Sequence, residues 1–375
     1  MNILVAFDSF KGSLSASQAC SVVAAVVRAA KPDWALKCQP LADGGEGTAE
    51  VLAAASAGCW VDVQGIVGPL QGMTLKASFA WLPKTETAVV EMARASGLAL
   101  LTDDQRNPLQ TTTFGTGQLL AAAIDRGARE VLLTLGGSAT VDGGTGAARA
   151  LGWRFLDARG NDVPLGGRGL IDIRRVVPSS RPMPVISVLC DVTNPLCGPQ
   201  GAARVFAPQK GATPWQVDML EAGLENLAGV IQSELGIQVK GLPGGGAAGG
   251  FGAGAVAFFG GSLHSGISVV MEKIQFEEQV RWADWVITGE GCLDRTSLQG
   301  KVVCGVLESA RRWGVPVAVV AGQVRLCEAE LSHAGIDLAL ASLPEDLEIG
   351  EGIARAAELL ANTALTLADK LSSRK

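Results

Sequence analysis

Glu130–Leu151 reads EVLLTLGGSATVDGGTGAARAL. Val131–Leu135 is a short apolar run. Gly136, Gly137, Gly143, Gly144 and Gly146 crowd the loop after it, and an Ala-rich helical run closes the stretch. A strand, a Gly-rich loop and a helix N-terminus together form an anion site. Bare backbone N–H groups converge there, and the helix dipole adds partial positive charge. Glycine permits left-handed turns and lets a phosphate approach the backbone. The expectation is that this loop, and others like it along the chain, hold phosphates.

Composition sets the frame. A chain of 375 residues predicts two domains, because single cores rarely grow beyond about 250–300 residues. With 48% hydrophobic and 18% charged residues it buries a large core. Gly supplies 48 of the 375 residues, close to double the usual share of about 7%. The net charge of −6 argues against a nucleic-acid surface, which needs a basic patch. An anionic substrate must then be held locally, by glycine N–H groups, a few Lys or Arg, and metal. The apolar run at the N-terminus stops at Asp8, which predicts no signal peptide, and no run reaches the ~18 apolar residues of a membrane span. Eight Cys without a C-x-x-C pair read as reduced thiols, so the expected location is the cytoplasm.

Asn2–Phe7 has the near-continuous apolar character of a strand buried on both faces. Ser15-Ala16-Ser17-Gln18 is a capping box that opens a helix over Ala16–Ala30. A strand at Ala35–Gln39, a helix at Ala49–Ala57 and a strand at Trp60–Gln64 follow. The βαβα order predicts an α/β fold with a parallel sheet. Gly65–Pro83 alternates apolar residues among Gly and Pro, as antiparallel strands do. A helix is expected at Gln118–Arg126, a strand at Val185–Leu189 and a long helix at Trp215–Leu235. Buried-strand character returns at Ala283–Thr288. Thr296-Ser297-Leu298-Gln299 reads as the cap of a helix running to Trp313, followed by strands at Val315–Ala321 and Asp337–Ala341 and a helix at Gly352–Leu371. The end repeats the βαβα of the beginning. The expected architecture is therefore a Rossmann- or flavodoxin-like parallel α/β domain made of 1–64 and 284–375, with a mixed α/β domain, 65–283, inserted into it.

Four acidic turns fall where strands end: Asp8-Ser9-Phe10-Lys11, Asp43-Gly44-Gly45-Glu46, Asp191-Val192-Thr193-Asn194, and Glu290 with Asp294. Ligands of open parallel sheets lie off the carboxyl ends of the strands. Carboxylates there, beside phosphate loops, suit Mg2+, which prefers hard oxygen ligands. Local structure offers a rival account of some of them. Asp43 could be the N-cap of the next helix with Glu46 in its first turn, and Asp8 and Asp191 could be turn residues. Glu290, between two glycines after a buried strand, has little local purpose. Lys11 could neutralise a carboxylate or a phosphoryl oxygen, or be a solvated turn lysine; Arg94 and Lys210 are further cationic candidates. Gly244–Gly249 matches G-x-G-x-x-G, a weak signal in a tract so rich in Gly and Ala. No P-loop occurs, since Arg295 stands where its first glycine would be. H-R-D, D-F-G and G-x-S-x-G are absent as well.

These motifs, in this order, make the chain similar to the bacterial glycerate kinases of the first type. The resemblance is carried by Asp8–Leu14, Ala42–Thr48, Glu91-Met92-Ala93 with Ser96-Gly97-Leu98, and Thr113–Gly117. It continues through Gly136–Thr140 with Asp142-Gly143-Gly144, Cys190-Asp191-Val192 with Asn194-Pro195-Leu196, Pro208–Ala212, Gly246–Gly250 and Thr288–Gly291. It runs from Asn2 to about Ala368. The chain departs from the pattern at Phe7 for a proline, at Cys292 for an arginine, and at Val302-Val303, which lacks a proline. The resemblance implies ATP- and Mg2+-dependent phosphorylation of D-glycerate on the 2-hydroxyl, giving 2-phosphoglycerate, in a cleft between the domains. Its partners are these small molecules, with no nucleic acid and no membrane, and a homo-oligomer stays open. On this reading Asp191 accepts the hydroxyl proton, with Asp8, Asp43 and Lys11 completing the catalytic set. Glu290 and Asp294 hold the metal. Gly136, Gly137, Ser138, Gly245, Gly246, Gly249 and Gly250 take nucleotide phosphates, and Ser9, Lys11, Asp43, Glu46 and Arg94 contact the acid. The rival products are 3-phosphoglycerate and the phosphate ester of a related hydroxy acid. Outside the class stand a metabolite sensor and a dinucleotide-dependent oxidoreductase, which would use Gly244–Gly249 with Glu272 on the ribose.

Overall fold

The apolar run at the start of the chain forms the first strand, β1 (Asn2–Phe7), buried from Ile3 onward. In this computed structural model, which describes residues 1–373, the strands continue in chain order. They are β2 (Ala35–Cys38), β3 (Cys59–Val67), β4 (Thr74–Leu82), β5 (Thr87–Glu91), β6 (Glu130–Thr134), β7 (Arg154–Leu156), β8 (Arg175–Val177), β9 (Val185–Leu189) and β10 (Ser262–His264). After these come β11 (Trp285–Gly289), β12 (Cys292–Leu293), β13 (Val317–Ala321), β14 (Gln323–Val324) and β15 (Leu338–Ala341). The chain divides into two compact units. The first joins Met1–Asp43 to the chain from Ile267 onward, and the second is Gly44–Gly266.

The sheet of the first unit has the order β15-β13-β11-β1-β2 and is parallel throughout. Counted within the unit this is 2-1-3-4-5, the doubly wound flavodoxin-like order, whose switch point lies between its first and third strands. Here those strands are β1 and β11, paired in register from Ile3↔Trp285 to Phe7↔Gly289. Asp8 and Glu290 therefore leave the sheet side by side, and the Asp8 N–H donates to the Gly289 carbonyl at 3.0 Å. Ile3, Val5, Phe7, Ile287 and Val320 pack with Val23, Val27, Leu360 and Leu367 as the core. The helix Ala16–Ala30 starts at the expected capping box: Gln18 N–H donates to Ser15 Oγ and Ser15 N–H to Gln18 Oε1.

The sheet of the second unit runs β10-β9-β6-β5-β4-β3. β3, β4 and β5 pair antiparallel, and β5, β6, β9 and β10 parallel. β7 and β8 form a separate antiparallel pair. The core joins Phe79, Val90 and Leu133 to Leu220, Leu224 and Phe251. Because β3 pairs along β4, the whole strand belongs to this unit. The chain thus crosses between units at 43/44 rather than 64/65, and returns at 266/267 rather than 283/284.

Three local expectations are corrected. The helix expected from Gln118 begins at Phe114. Gly115 and Gly117 sit inside it because a Cβ would lie 1.9 Å from the Val67 carbonyl and 2.3 Å from the Ala147 carbonyl. The Thr296–Gln299 box is instead a 3-10 turn, Arg295–Leu298, capped by Asp294, and the helix proper is Val302–Trp313. The last helical segment is two helices, Ile349–Ala354 and Ala356–Ser372.

Gly289 is the tightest joint of the first sheet. A Cβ there would meet the Val320 carbonyl at 1.7 Å and Phe7 Cε1 at 2.7 Å. Gly289→Ala is expected to destabilise the protein by about 3 kcal/mol, the upper range for overpacking a core. Urea denaturation checks this, and an unchanged midpoint would show that the neighbouring strand yields.

Candidate functional site

The residues that follow β1 and β11 wall a cavity of about 410 Å³ in the first unit. Asp8, Ser9, Lys11, Asp43, Glu290 and Asp294 all line it, together with Lys301 and Arg325. Asp8 is only 7% exposed. Burial pushes its carboxyl up to about 7, and the nearby Asp43 and Glu290 charges add to the rise. The Ser9 N–H, donating to Asp8 Oδ1 at 2.6 Å, acts the other way. Burial also raises Glu290, whose Oε1 is buried with no hydrogen-bond partner among the described residues. Asp294 is different. Its Oδ1 accepts from the N–H and Oγ1 of Thr296, both at 2.7 Å, and those bonds hold its carboxyl below the usual range. Its cap role accounts for the residue locally. Among the described residues no group of three or more His, Cys, Asp or Glu is arranged to hold a metal.

In the second unit the Glu130–Leu151 loop divides into two halves. The half around Gly143, Gly144 and Gly146 has its anion built in. Asp142, fully buried, accepts from the N–H groups of Thr113, Gly144 and Gly146 and from Thr113 Oγ1. Burial pushes its carboxyl upward against those bonds. The other half is open. The N–H groups of Gly136, Gly137 and Ser138 donate to no acceptor among the described residues, and Gly137, at φ +71°, is exposed. Lys210, buried, donates from Nζ to Ser138 Oγ at 2.7 Å and to the Thr140 carbonyl at 2.8 Å. This leaves the Ser138 hydroxyl proton free to be donated outward. Three N–H groups in a row with a hydroxyl make a cradle for an oxyanion.

Gly45, Glu46 and Ala93, the last just before Arg94, border the same turn. A Cβ at Gly136 would come within 2.9 Å of Gly45 Cα, and one at Gly137 within 3.2 Å of Ala93 Cβ. Glu46 is exposed. Arg94 pairs with Glu91 at 2.7 Å and lies over the Trp60 ring at 4.2 Å. Glu91 in turn accepts from Gly47 and Ala49 N–H at the N-terminus of the helix Thr48–Ala55, so the cap of that helix is Gly47, not Asp43. Asp191, after β9, accepts from the Gly266 N–H at 2.8 Å.

Gly245, Gly246, Gly249 and Gly250 do not join this turn. All four are buried in the interior of the second unit. A Cβ at Gly246 would meet the Pro195 carbonyl at 2.3 Å, one at Gly249 the Thr140 carbonyl at 2.1 Å, and one at Gly250 Leu196 Cδ1 at 2.7 Å. These glycines let the helix Ala247–Phe259 press against the loops after β6 and β9. Gly244–Gly249 lies between helices rather than after a strand, and Glu272 sits within the helix Gly266–Lys273, so the dinucleotide context is missing. Sequence reasoning left Asp142 and Glu91 without a role and did not name Lys301 or Arg325. The Asp-Gly-Gly-Thr run before a helix is the one signal that could have marked Asp142 as an acceptor for the N–H groups at that helix start.

Burial lowers Lys210 to about 7 from 10.5, with Asp142 opposing the shift. The folded state then releases this proton before the unfolded state does, so stability rises with pH between about 7 and 10.5. Lys210→Met is expected to abolish that rise, by on the order of 1–3 kcal/mol between pH 7 and 9.5, at no more than about 1.4 kcal/mol per unit. Urea midpoints of both proteins at the two pH values check this, and parallel curves would refute it.

Comparison with known proteins agrees with this geometry. The glycerate kinase family model matches residues 3–372. The chain is 40% identical to glycerate kinase of Bacillus subtilis (strain 168), covering 100% of this chain and 99% of that protein. It is 42% identical to glycerate 2-kinase of Escherichia coli (strain K12), covering 90% of this chain and 89% of that one. A crystal structure of glycerate kinase 2 from Salmonella typhimurium LT2 superposes with a TM-score of 0.86 at 40% identity, covering 100% of this chain and 98% of that chain. With its parallel sheets and acidic strand ends, the chain belongs to the glycerate kinase family and is a kinase that phosphorylates glycerate.

Proposed function

We propose that the protein transfers the γ-phosphoryl group of ATP to the 2-hydroxyl of D-glycerate, giving 2-phosphoglycerate and ADP. The observation that carries this reading is the cluster of carboxylates at the β1/β11 switch point, with Asp8 buried and Asp43 and Glu290 half-buried, in a cavity that Lys11 and Lys301 also line. In phosphoryl transfer a protein chiefly positions groups and neutralises charge. The 42% identity to a protein named glycerate 2-kinase supports the 2-hydroxyl as acceptor.

The residues fit a divalent ion. Glu290 Oε1 lacks a partner among the described residues, and the Asp43 and Glu290 charges raise the proton affinity of Asp8. Mg2+ typically takes one or two carboxylates and fills its shell with phosphate oxygens and water. Glu290 and Asp8 would hold it, with Asp294 on the same wall. Bound there, the ion would screen the phosphate oxygens. Lys11 offers its ammonium to the same oxygens, and Ser9 and Asp43 border them. In the second unit the Gly136–Ser138 cradle takes an anionic oxygen, a phosphate or the acid's carboxylate, with Glu46 and Arg94 beside it. Asp191, fixed by the Gly266 N–H, accepts the proton of the attacking hydroxyl.

Asp191→Asn is expected to lower kcat by about 10²–10⁴-fold, the range for losing one general base, and Glu290→Gln to lower it through loss of a metal-holding oxygen. Steady-state kinetics with ATP and D-glycerate test this, and activity kept within a few fold in both variants would remove these roles. Phosphorus NMR of the wild-type product decides the position: a 3-phosphoglycerate signal, or no phosphoglycerate, would overturn the proposal.

A further inference from the structure

The lining of the first-unit cavity includes apolar side chains that the carboxylates and cations leave unused. Ile349 and Ile353 stand four residues apart on the helix Ile349–Ala354, hence on one face, and both line the cavity. They are 57% and 44% exposed, unusual for such large side chains turned toward a concave wall. Gly352 lets the helix sit directly on Leu343, since a Cβ there would come within 2.3 Å of Leu343 Cδ1. Phe10 and Leu359 complete the apolar surface.

We infer that these apolar side chains seat the nucleobase of the phosphate donor, held by contact with Ile349 and Ile353, and that they select weakly among bases. The inference rests on the reading of the chain as a nucleotide-dependent kinase. Three observations carry it. The cavity, at about 410 Å³, falls in the usual range for small-molecule sites, roughly 300–1,000 Å³. The same cavity is also lined by Lys11, Lys301, Arg325 and Glu290, whose Oε1 has no partner among the described residues. A ligand that uses both kinds of lining has a flat apolar ring and several negative oxygens, as a nucleoside polyphosphate does. A small hydroxy acid has nothing to place against the isoleucines.

Weak selection follows from the same wall. Three polar groups of that wall are engaged and cannot read a base: the N–H groups of Ser342 and Leu343 donate to the Ala321 and Gly322 carbonyls, and Gln323 Oε1 accepts from Arg325. An apolar pocket discriminates poorly between molecules of like shape, whereas buried hydrogen-bonding groups discriminate strongly.

The test uses the full-length protein with both isoleucines replaced, Ile349→Ser with Ile353→Ser. Both positions are exposed, so the melting temperature should hold; should the double variant melt early, Ile349→Ser alone serves. The KM for ATP is expected to rise about tenfold while the KM for D-glycerate moves less than twofold. Calorimetric titration should show weakened ADP binding and unchanged binding of inorganic triphosphate. Wild-type kcat/KM for GTP should lie within about tenfold of that for ATP. Unchanged ADP affinity, a rise in the glycerate KM instead, or a GTP penalty beyond about a hundredfold would each overturn the inference. If the wild type fails to phosphorylate glycerate, the proposed reaction falls, while the ADP titration still decides the base site.

Discussion

Backbone N–H groups at helix starts and glycine turns must find acceptors once they leave water, and in the second unit side-chain carboxylates supply them. Asp142 fills the turn before Thr145–Ala150, and Glu91 fills the start of Thr48–Ala55. Asp191 takes the Gly266 N–H. Each is an anion site whose anion is part of the fold. What they do not fill stands out against them: the three consecutive N–H groups of Gly136–Ser138. Lys210 reinforces that turn from beneath, where a full charge would be costly to bury unless it met strong acceptors such as Ser138 Oγ and the Thr140 carbonyl.

The first unit meets the complementary requirement. Its parallel sheet reverses its winding between β1 and β11, and the residues that follow the two strands line a cavity. Negative charge collects there rather than N–H groups. Asp8 and Glu290 follow paired strand ends, and Asp43 lies close enough to raise the Asp8 carboxyl. Such crowding is unfavourable in isolation and is relieved by a cation, so a site of this kind is stable in use and strained at rest. Functional sites commonly carry that signature, and a kinase acting on an anionic acid needs both halves of it: cationic help for phosphate, and donors for oxyanions.

Glycine was the most legible feature of the sequence and the most ambiguous. At Gly137 it does what a phosphate loop asks, an exposed turn at positive φ. At Gly246 and Gly249 the same residue type allows carbonyl oxygens of other loops to approach, and at Gly115 and Gly117 it allows helix packing. Close approach of any atom to the backbone selects glycine, and the selecting atom is invisible in one dimension. Apolar runs suffered no such ambiguity. β1 and β9 begin and end where their sequence says, because burial on both faces demands uninterrupted apolar residues.

By itself the sequence determined the α/β class, the capping box at Ser15, the antiparallel character of the stretch holding β4 and the placing of acidic residues at strand ends, since each is written in neighbouring residues. Tertiary structure alone decided which of those acids are occupied internally, which glycines face outward, and that Ile349 and Ile353 wall the same cavity as Asp8. Those outcomes depend on what strands hundreds of residues apart bring into contact. Hydrogen-bond satisfaction and burial are settled by such neighbours in space, and local sequence does not encode them.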